Sequence, residues 1–266
     1  MKLSISNIAW AKENDEEMYE YISQSKFDGI EIAPTKIIQD NPYFHIEEAK
    51  DILEQIYNKY KLKVSSMQSI WYGRQGNIFD KEEAKKFIEY TQKAIDFAHE
   101  INCGNLVFGC PKNRIMPQGN KEEDVIYFFR ELGEYAKQKQ TVLSIEPNPT
   151  IYGTNFINYT SQALEFVKKI NSEGIKVNVD FGTIIENKEN LELVFKNLNF
   201  VNHIHISEPN LTKIEKREEH IELAEYLKKA NYNKYVSIEM KDTGNIDDVK
   251  ETIEYINKIF KWKAEN

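Results

Sequence analysis

The chain has 266 residues, 41% of them hydrophobic and 29% charged, with a net charge of −8 and two cysteines. This is the composition of a soluble globular protein with enough chain to bury a large core. The acidic balance argues against a nucleic-acid partner, two cysteines make no disulfide framework and suit the reducing cytoplasm, and no apolar stretch approaches the ~20 residues that span a membrane.

The opening Met1-Lys2-Leu3-Ser4-Ile5-Ser6-Asn7 breaks its apolar run too early for a signal-peptide core and reads as a strand. Further strands are predicted at 29–32, 64–68, 105–109, 142–146, 177–180, 202–206 and 236–239, after a first at 3–6. Helical patterns follow each one. In 82–101 the apolar positions are Phe87, Tyr90, Ala94, Ile95 and Ala98; in 247–260 they are Val249, Ile253, Ile256 and Phe260. Spacings of three and four mark one buried helix face. Asp15 and Thr160 are predicted as helix caps. The charged stretch 213–219 reads as a solvated face, and 261–266 as a frayed helix end.

Strict strand–helix alternation predicts a parallel sheet with helical crossovers. Eight units averaging roughly 30 residues suit a closed barrel. The expected architecture is therefore a single-domain (β/α)₈ TIM barrel over residues 1–266. The runner-up is an open doubly wound sheet, but no glycine-rich phosphate loop follows the first strand.

In such a barrel the active site lies at the C-terminal strand ends. Side chains alternate along each strand. Ser144, Asn178, His203 and Ser237 share one parity with Glu146, Asp180, His205 and Glu239. Three carboxylates and an imidazole are thus predicted inside the barrel, at one end, on four consecutive strands. Gathered carboxylates repel and are costly to desolvate, so a positive charge must compensate. A single divalent cation suits this set and leaves positions open for substrate. Oxygen-rich ligation with one histidine favours Mn²⁺, with Mg²⁺, Co²⁺ or Zn²⁺ also compatible.

The loops supply substrate-binding candidates. Cys110-Pro111-Lys112-Asn113-Arg114 follows strand four, so Lys112 or Arg114 either holds a phosphate or carboxylate or belongs to a solvated loop. Arg74 is a second anion-site candidate. Trp10 and Trp71 either wall a sugar ring or belong to the core. Asn148 either hydrogen-bonds substrate, orients Glu146 or shapes a turn. Gln68, at the end of strand three, completes the set. Glu31, ending strand two, either binds a hydroxyl or pairs with a cationic loop residue, and His203 lies one layer below His205, as a core or supporting group. His45, His99 and His220 fall in helical segments. Cys103 is expected to be buried, and Cys110 has no histidine partner for nucleophilic chemistry.

The segments Ser144-Ile145-Glu146-Pro147, Val179-Asp180-Phe181-Gly182, His203-Ile204-His205 and Ser237-Ile238-Glu239 resemble, in order and spacing, the xylose isomerase-like barrels, the sugar phosphate isomerase/epimerase group. The resemblance covers essentially the whole chain. By similarity to ketose epimerases of the D-tagatose 3-epimerase kind, it implies that Glu146, Asp180, His205 and Glu239 bind one Mn²⁺-like ion. It also implies that Glu146 and Glu239 shuttle protons around a metal-stabilised enediolate. Those epimerases usually carry a substrate-binding histidine three residues after the metal Asp; here Thr183 stands there, so the sugar contacts must differ. The apurinic endonuclease branch has extra histidines for three zinc ions, whereas the corresponding strand ends here offer Gln68 and Gly109.

The leading expectation is a metal-dependent isomerase or epimerase of a sugar, sugar acid or sugar phosphate. It would act on a small carbohydrate-like substrate, without nucleic acid or membrane, with a homo-oligomer left open. The alternatives are an inosose-dehydratase-like lyase, a non-catalytic carbohydrate-binding barrel and an apurinic endonuclease.

Overall fold

The computed structural model describes residues 1–261; the expected frayed end at 262–266 lies outside the described residues. Eight parallel strands close into one barrel in sequence order: β1 (Lys2–Ser6), β2 (Gly29–Ile32), β3 (Lys63–Met67), β4 (Leu106–Phe108), β5 (Leu143–Ile145), β6 (Ile175–Asp180), β7 (Val201–Ile206) and β8 (Tyr235–Ile238). The seam is parallel pairing of β1 with β8, from Lys2 opposite Tyr235 to Ile5 opposite Ile238. This is the (β/α)₈ fold the alternation predicts.

The helices are α1 (Asp15–Gln24), α2 (Pro34–Ile37), α3 (Ile46–Tyr60), α4 (Lys81–Glu100), α5 (Glu123–Gln138), α6 (Thr160–Ile170), α7 (Phe181–Asn187), α8 (Glu192–Lys196), α9 (Glu218–Lys229) and α10 (Ile246–Phe260). Their apolar stripes cover the outward strand residues. Ile5, Ile30, Phe108, Ile145, Val179, Ile204 and Ile238 are fully buried in that layer. None of the helices among the described residues is long and apolar enough to cross a membrane.

The barrel interior is polar where branched apolar residues usually dominate. Ser4, Ser6, Glu31, Ser66, Ser144, Asn178, His203, His205 and Ser237 are all buried. Some of these groups pair across strands: Ser144 Oγ donates to Asn105 Oδ1 at 2.6 Å, and Asn105 Nδ2 donates to Ser66 Oγ at 2.9 Å, whereas Ser4 Oγ and Ser237 Oγ have no partner. Buried polar groups are tolerable when bonded in this way, and the polar lining prepares the barrel mouth for charge.

Two expectations about element ends change. Strands three, five and eight end one residue before Gln68, Glu146 and Glu239. Each of these residues keeps one ladder-type bond: Gln68 N to Ile32 O at 2.9 Å, Glu146 N to Phe108 O at 3.0 Å and Glu239 N to Ile206 O at 2.9 Å. Their backbones are pinned while their carbonyls are released to the loops. The expected caps also shift. Asp15 is the first residue of α1 and spends Oδ1 on Trp10 Nε1, 2.8 Å away. Thr160 is the first residue of α6, where Gln162 Oε1 reaches back to accept from Asn158 N at 2.7 Å and Tyr159 N at 3.2 Å.

Candidate metal centre

Glu146, Asp180, His205 and Glu239 stand at the C-terminal ends of β5, β6, β7 and β8, and each offers a ligand atom within 4.8 Å of the others. All four are buried. His205 Nδ1 lies 3.0 Å from Glu146 Oε1 and 3.1 Å from Glu239 Oε2.

Neighbouring side chains fix the carboxylates. Glu146 Oε1 accepts from Asn178 Nδ2 at 2.7 Å, and its Oε2 from Asn148 Nδ2 at 3.1 Å. Asp180 caps α7: its Oδ2 accepts from Thr183 N at 2.7 Å and from Thr183 Oγ1 at 2.8 Å. The other oxygen of Asp180 accepts a short hydrogen bond from Ser207 Oγ, which itself accepts from Gly182 N at 2.8 Å. A residue with a side chain at 109 would crowd this arrangement, because a Cβ on Gly109 would come within 2.8 Å of Glu146 Oε2.

The electrostatics show what the cluster lacks. Burial, then the charge of Glu146, pushes the Asp180 carboxyl above its ordinary range, against the pull of Ser207 and His205. Burial likewise raises Glu239, against the pull of His205. Burial alone would lower His205, but the Glu239 and Glu31 carboxylates outweigh it and raise the imidazole well above its usual value. The carboxylates around His205 thus favour positive charge at the centre of the cluster. Three carboxylates and one imidazole with positions left over fit a hard or borderline divalent cation.

The structure separates the other candidates. Asn148 is buried beside Glu146 through the bond above. Gln68 is buried, donating Nε2 to Ser6 Oγ at 3.1 Å. Thr183 is buried, with its hydroxyl on Asp180 and on Pro147 O, 2.9 Å away, rather than turned to a substrate. Lys112 is exposed. Arg114 overturns the solvated-loop reading, and its Nε and Nη1 are buried without a partner. The turn Pro111–Asn113 swings it inward, where it is fully buried, and Nη2 donates to Glu146 O at 2.9 Å and Asn148 Oδ1 at 2.7 Å. It supports Glu146 from behind. The tryptophans build no sugar wall: Trp10 is buried against Tyr19, and Trp71 stacks on Phe87 of α4 with centroids 4.1 Å apart and gives Nε1 to Thr91. Arg74 lies over the Tyr90 ring and donates to Asn41 Oδ1 at 3.2 Å. Cys103 is buried and Cys110 partly so, both as thiols raised by burial.

The sequence reading gave Asn178 only a parity and did not single out Ser207, which shares the inward parity of His205. A groove of about 650 Å³ between α9 and α10, lined by residues such as Ile214, Ile221 and Tyr255, shares no residue with the cluster. It lies outside the barrel and gathers no comparable donors.

Residues 19–259 match the family model of the xylose isomerase-like TIM barrel. The chain belongs to that family. No curated protein matches its sequence. Among solved structures it is similar to a 3-keto-D-glucoside 4-epimerase from E. coli, with a TM-score of 0.78 and 20% identity over 97% of this chain and 99% of that one. A D-psicose 3-epimerase from Clostridium cellulolyticum gives a TM-score of 0.76 and 15% identity over 98% and 99%. A family 2 AP endonuclease from Brucella melitensis gives 0.71 and 18% over 96% and 97%. At these identities the likeness establishes the fold of this family member.

Proposed function

We propose that this chain is a divalent-metal-dependent isomerase or epimerase of a sugar, sugar acid or sugar phosphate. The observation that carries the reading is the convergence of Glu146, Asp180, His205 and Glu239 at the barrel mouth. Similar structures named as sugar epimerases support it. Glu146, Asp180, His205 and Glu239 would hold the ion, with Mn²⁺ preferred on donor chemistry. When bound, the ion would draw in a carbonyl and a neighbouring hydroxyl of the substrate and acidify the carbon-bound hydrogen between them.

The chain's own residues do the rest. Glu146 and Glu239 stand three strands apart around an eight-strand ring, so their carboxylates reach a central substrate from different sides. One takes the proton from carbon and the other returns a proton to the opposite face, which inverts the centre. Asn148, Asn178 and Arg114 hold Glu146, while Thr183 and Ser207 hold Asp180. Lys112, exposed on its loop, and Arg114, with Nε and Nη1 unpartnered, are the cations we propose for an anionic substrate group. We place the protein in the cytoplasm, acting on a small carbohydrate-like substrate as a monomer or homo-oligomer.

A panel of ketoses and keto-acids in deuterated water with added Mn²⁺ tests the reading. Solvent deuterium at the carbon next to the carbonyl, together with an isomeric product, is expected. A product lacking the elements of water would replace the isomerase with a lyase. Tight binding with neither exchange nor product would leave a carbohydrate-binding barrel.

A further inference from the structure

Glu31 approaches the metal cluster from β2, reaching β7 across the barrel interior. Its Oε2 lies 2.9 Å from His205 Nε2 in a hydrogen bond. The same oxygen lies 3.0 Å from His203 Nε2, close enough for an ion pair but without hydrogen-bond alignment. Glu31 Oε1 has no partner. All three side chains are buried. Among the described residues, Glu31 alone hydrogen-bonds the far nitrogen of His205.

Both ring nitrogens face carboxylates, which only accept hydrogen bonds, but an ion held by Glu146, Asp180 and Glu239 would take the lone pair of Nδ1 and leave the ring proton on Nε2, against Glu31. The bond made by one ring nitrogen decides what the other offers. Here Nε2 faces Glu31, and Nδ1 faces Glu146 and Glu239. We propose that Glu31 is the positioning residue of this centre: it locks the His205 ring with its proton on Nε2 and Nδ1 turned to the other donors, and makes the imidazole a stronger ligand. The inference rests on the metal reading and deepens it. A negative carboxylate on the far N–H raises the ring's basicity, and such partners are typically worth 10–100-fold in metal affinity. His203, packed 3.0 Å from the same oxygen, limits the swing of Glu31.

Glu31, His203 and His205 also bring donor atoms within 4.8 Å of one another. A second ion there would compete for the Nε2 that already serves Glu31, in a place sealed from solvent. Positioning explains the same contacts without a second ion.

Mn²⁺ titration calorimetry on wild type, Glu31→Gln and Glu31→Leu tests this, with nitrogen-resolved NMR of His205 in the Mg²⁺-loaded wild type. Gln keeps an acceptor but loses the charge; Leu loses both. The expected result is one Mn²⁺ per chain throughout, with affinity 10–100-fold lower in Glu31→Gln and lower still in Glu31→Leu. The wild-type spectrum should show the His205 proton on Nε2 and a bare Nδ1. Should both variants fail to fold, that spectrum alone decides. A proton on Nδ1 with bare Nε2, unchanged affinity in a folded Glu31→Gln, or two Mn²⁺ per chain would overturn the assignment. Wild type that binds no Mn²⁺ overturns the metal reading itself, an outcome seen without any variant.

Discussion

Glu146 and Glu239 carry the same functional group in different surroundings. Amide donors hold both oxygens of Glu146, whereas Glu239 pairs with His205 and feels the like charges of Glu146 and Glu31. Gln nearly matches Glu in shape and retains an oxygen for a metal, but cannot take up a proton at neutral pH. Glu146→Gln and Glu239→Gln are each expected to keep part of the metal affinity and lose roughly 10²–10⁴ in turnover. Steady-state rates on the true substrate check this, and near-wild-type turnover in both variants would end the two-base mechanism. Gly109→Ala probes the same site from its wall, since the added Cβ would meet Glu146 Oε2 at 2.8 Å. Mn²⁺ affinity and turnover should fall together; if calorimetry and rates both match wild type, Glu146 does not need that space. The four donors were legible in the sequence because strand alternation dictates facing. The reach of Glu31 was not, because parity gives a direction but no distance across a barrel. Arg114 misled for a different reason: a polar loop sequence looks the same whether its arginine meets solvent or turns inward beneath Glu146.

At the scale of elements, strands and helices followed hydrophobic period closely, while their ends and loops answered to particular bonds. The turn at Pro111–Asn113 starts from Cys110 in the left-handed region, at φ 44°, a local path that no periodicity encodes. The helix α9 shows how a residue without an evident message acquires one from packing. His220 is buried against Phe181, with ring centroids 4.6 Å apart, and its Nδ1 lies 3.0 Å from Tyr255 Oη. Burial, then the charge of Arg217, lowers its pKa to about 4. The unfolded chain takes up this proton near pH 6.5, whereas the folded chain resists it until about pH 4. The stability due to neutral His220 is therefore complete above pH 6.5, falls between pH 6.5 and 4, and is gone below. At about 1.4 kcal/mol per pH unit, moving from pH 7.5 to 5 costs wild type about 2 kcal/mol that a non-titrating variant escapes. Urea unfolding of wild type and His220→Phe at the two pH values should show the gap moving by about that much in the variant's favour. Parallel pH dependences would mean that His220 titrates normally in the folded state.

At the scale of the molecule, two layers divide the work. Fully buried residues such as Ile5, Phe108, Val179 and Ile238 hold the strands to the helix ring, whereas the charged groups sit inside the mouth. The barrel should therefore stay folded without the ion, and the ion should add stability by bridging the ends of β5, β6, β7 and β8 in the folded state alone. An ion at 100 times its dissociation constant adds about 2.7 kcal/mol. At roughly 2–4 °C per kcal/mol for a chain of this class, the melting temperature should rise by roughly 5–10 °C. Thermal denaturation with Mn²⁺, followed by excess chelator, measures both the rise and its reversal. The double variant Asp180→Asn with His205→Ala removes two donors from adjacent strands without touching the apolar layer. It should melt cooperatively as a folded barrel, lack stoichiometric metal and show no Mn²⁺-dependent rise. An equal rise in wild type and double variant would place the bound ion elsewhere on the acidic surface, and stoichiometric metal retained by the double variant would remove Asp180 and His205 from the ligand set.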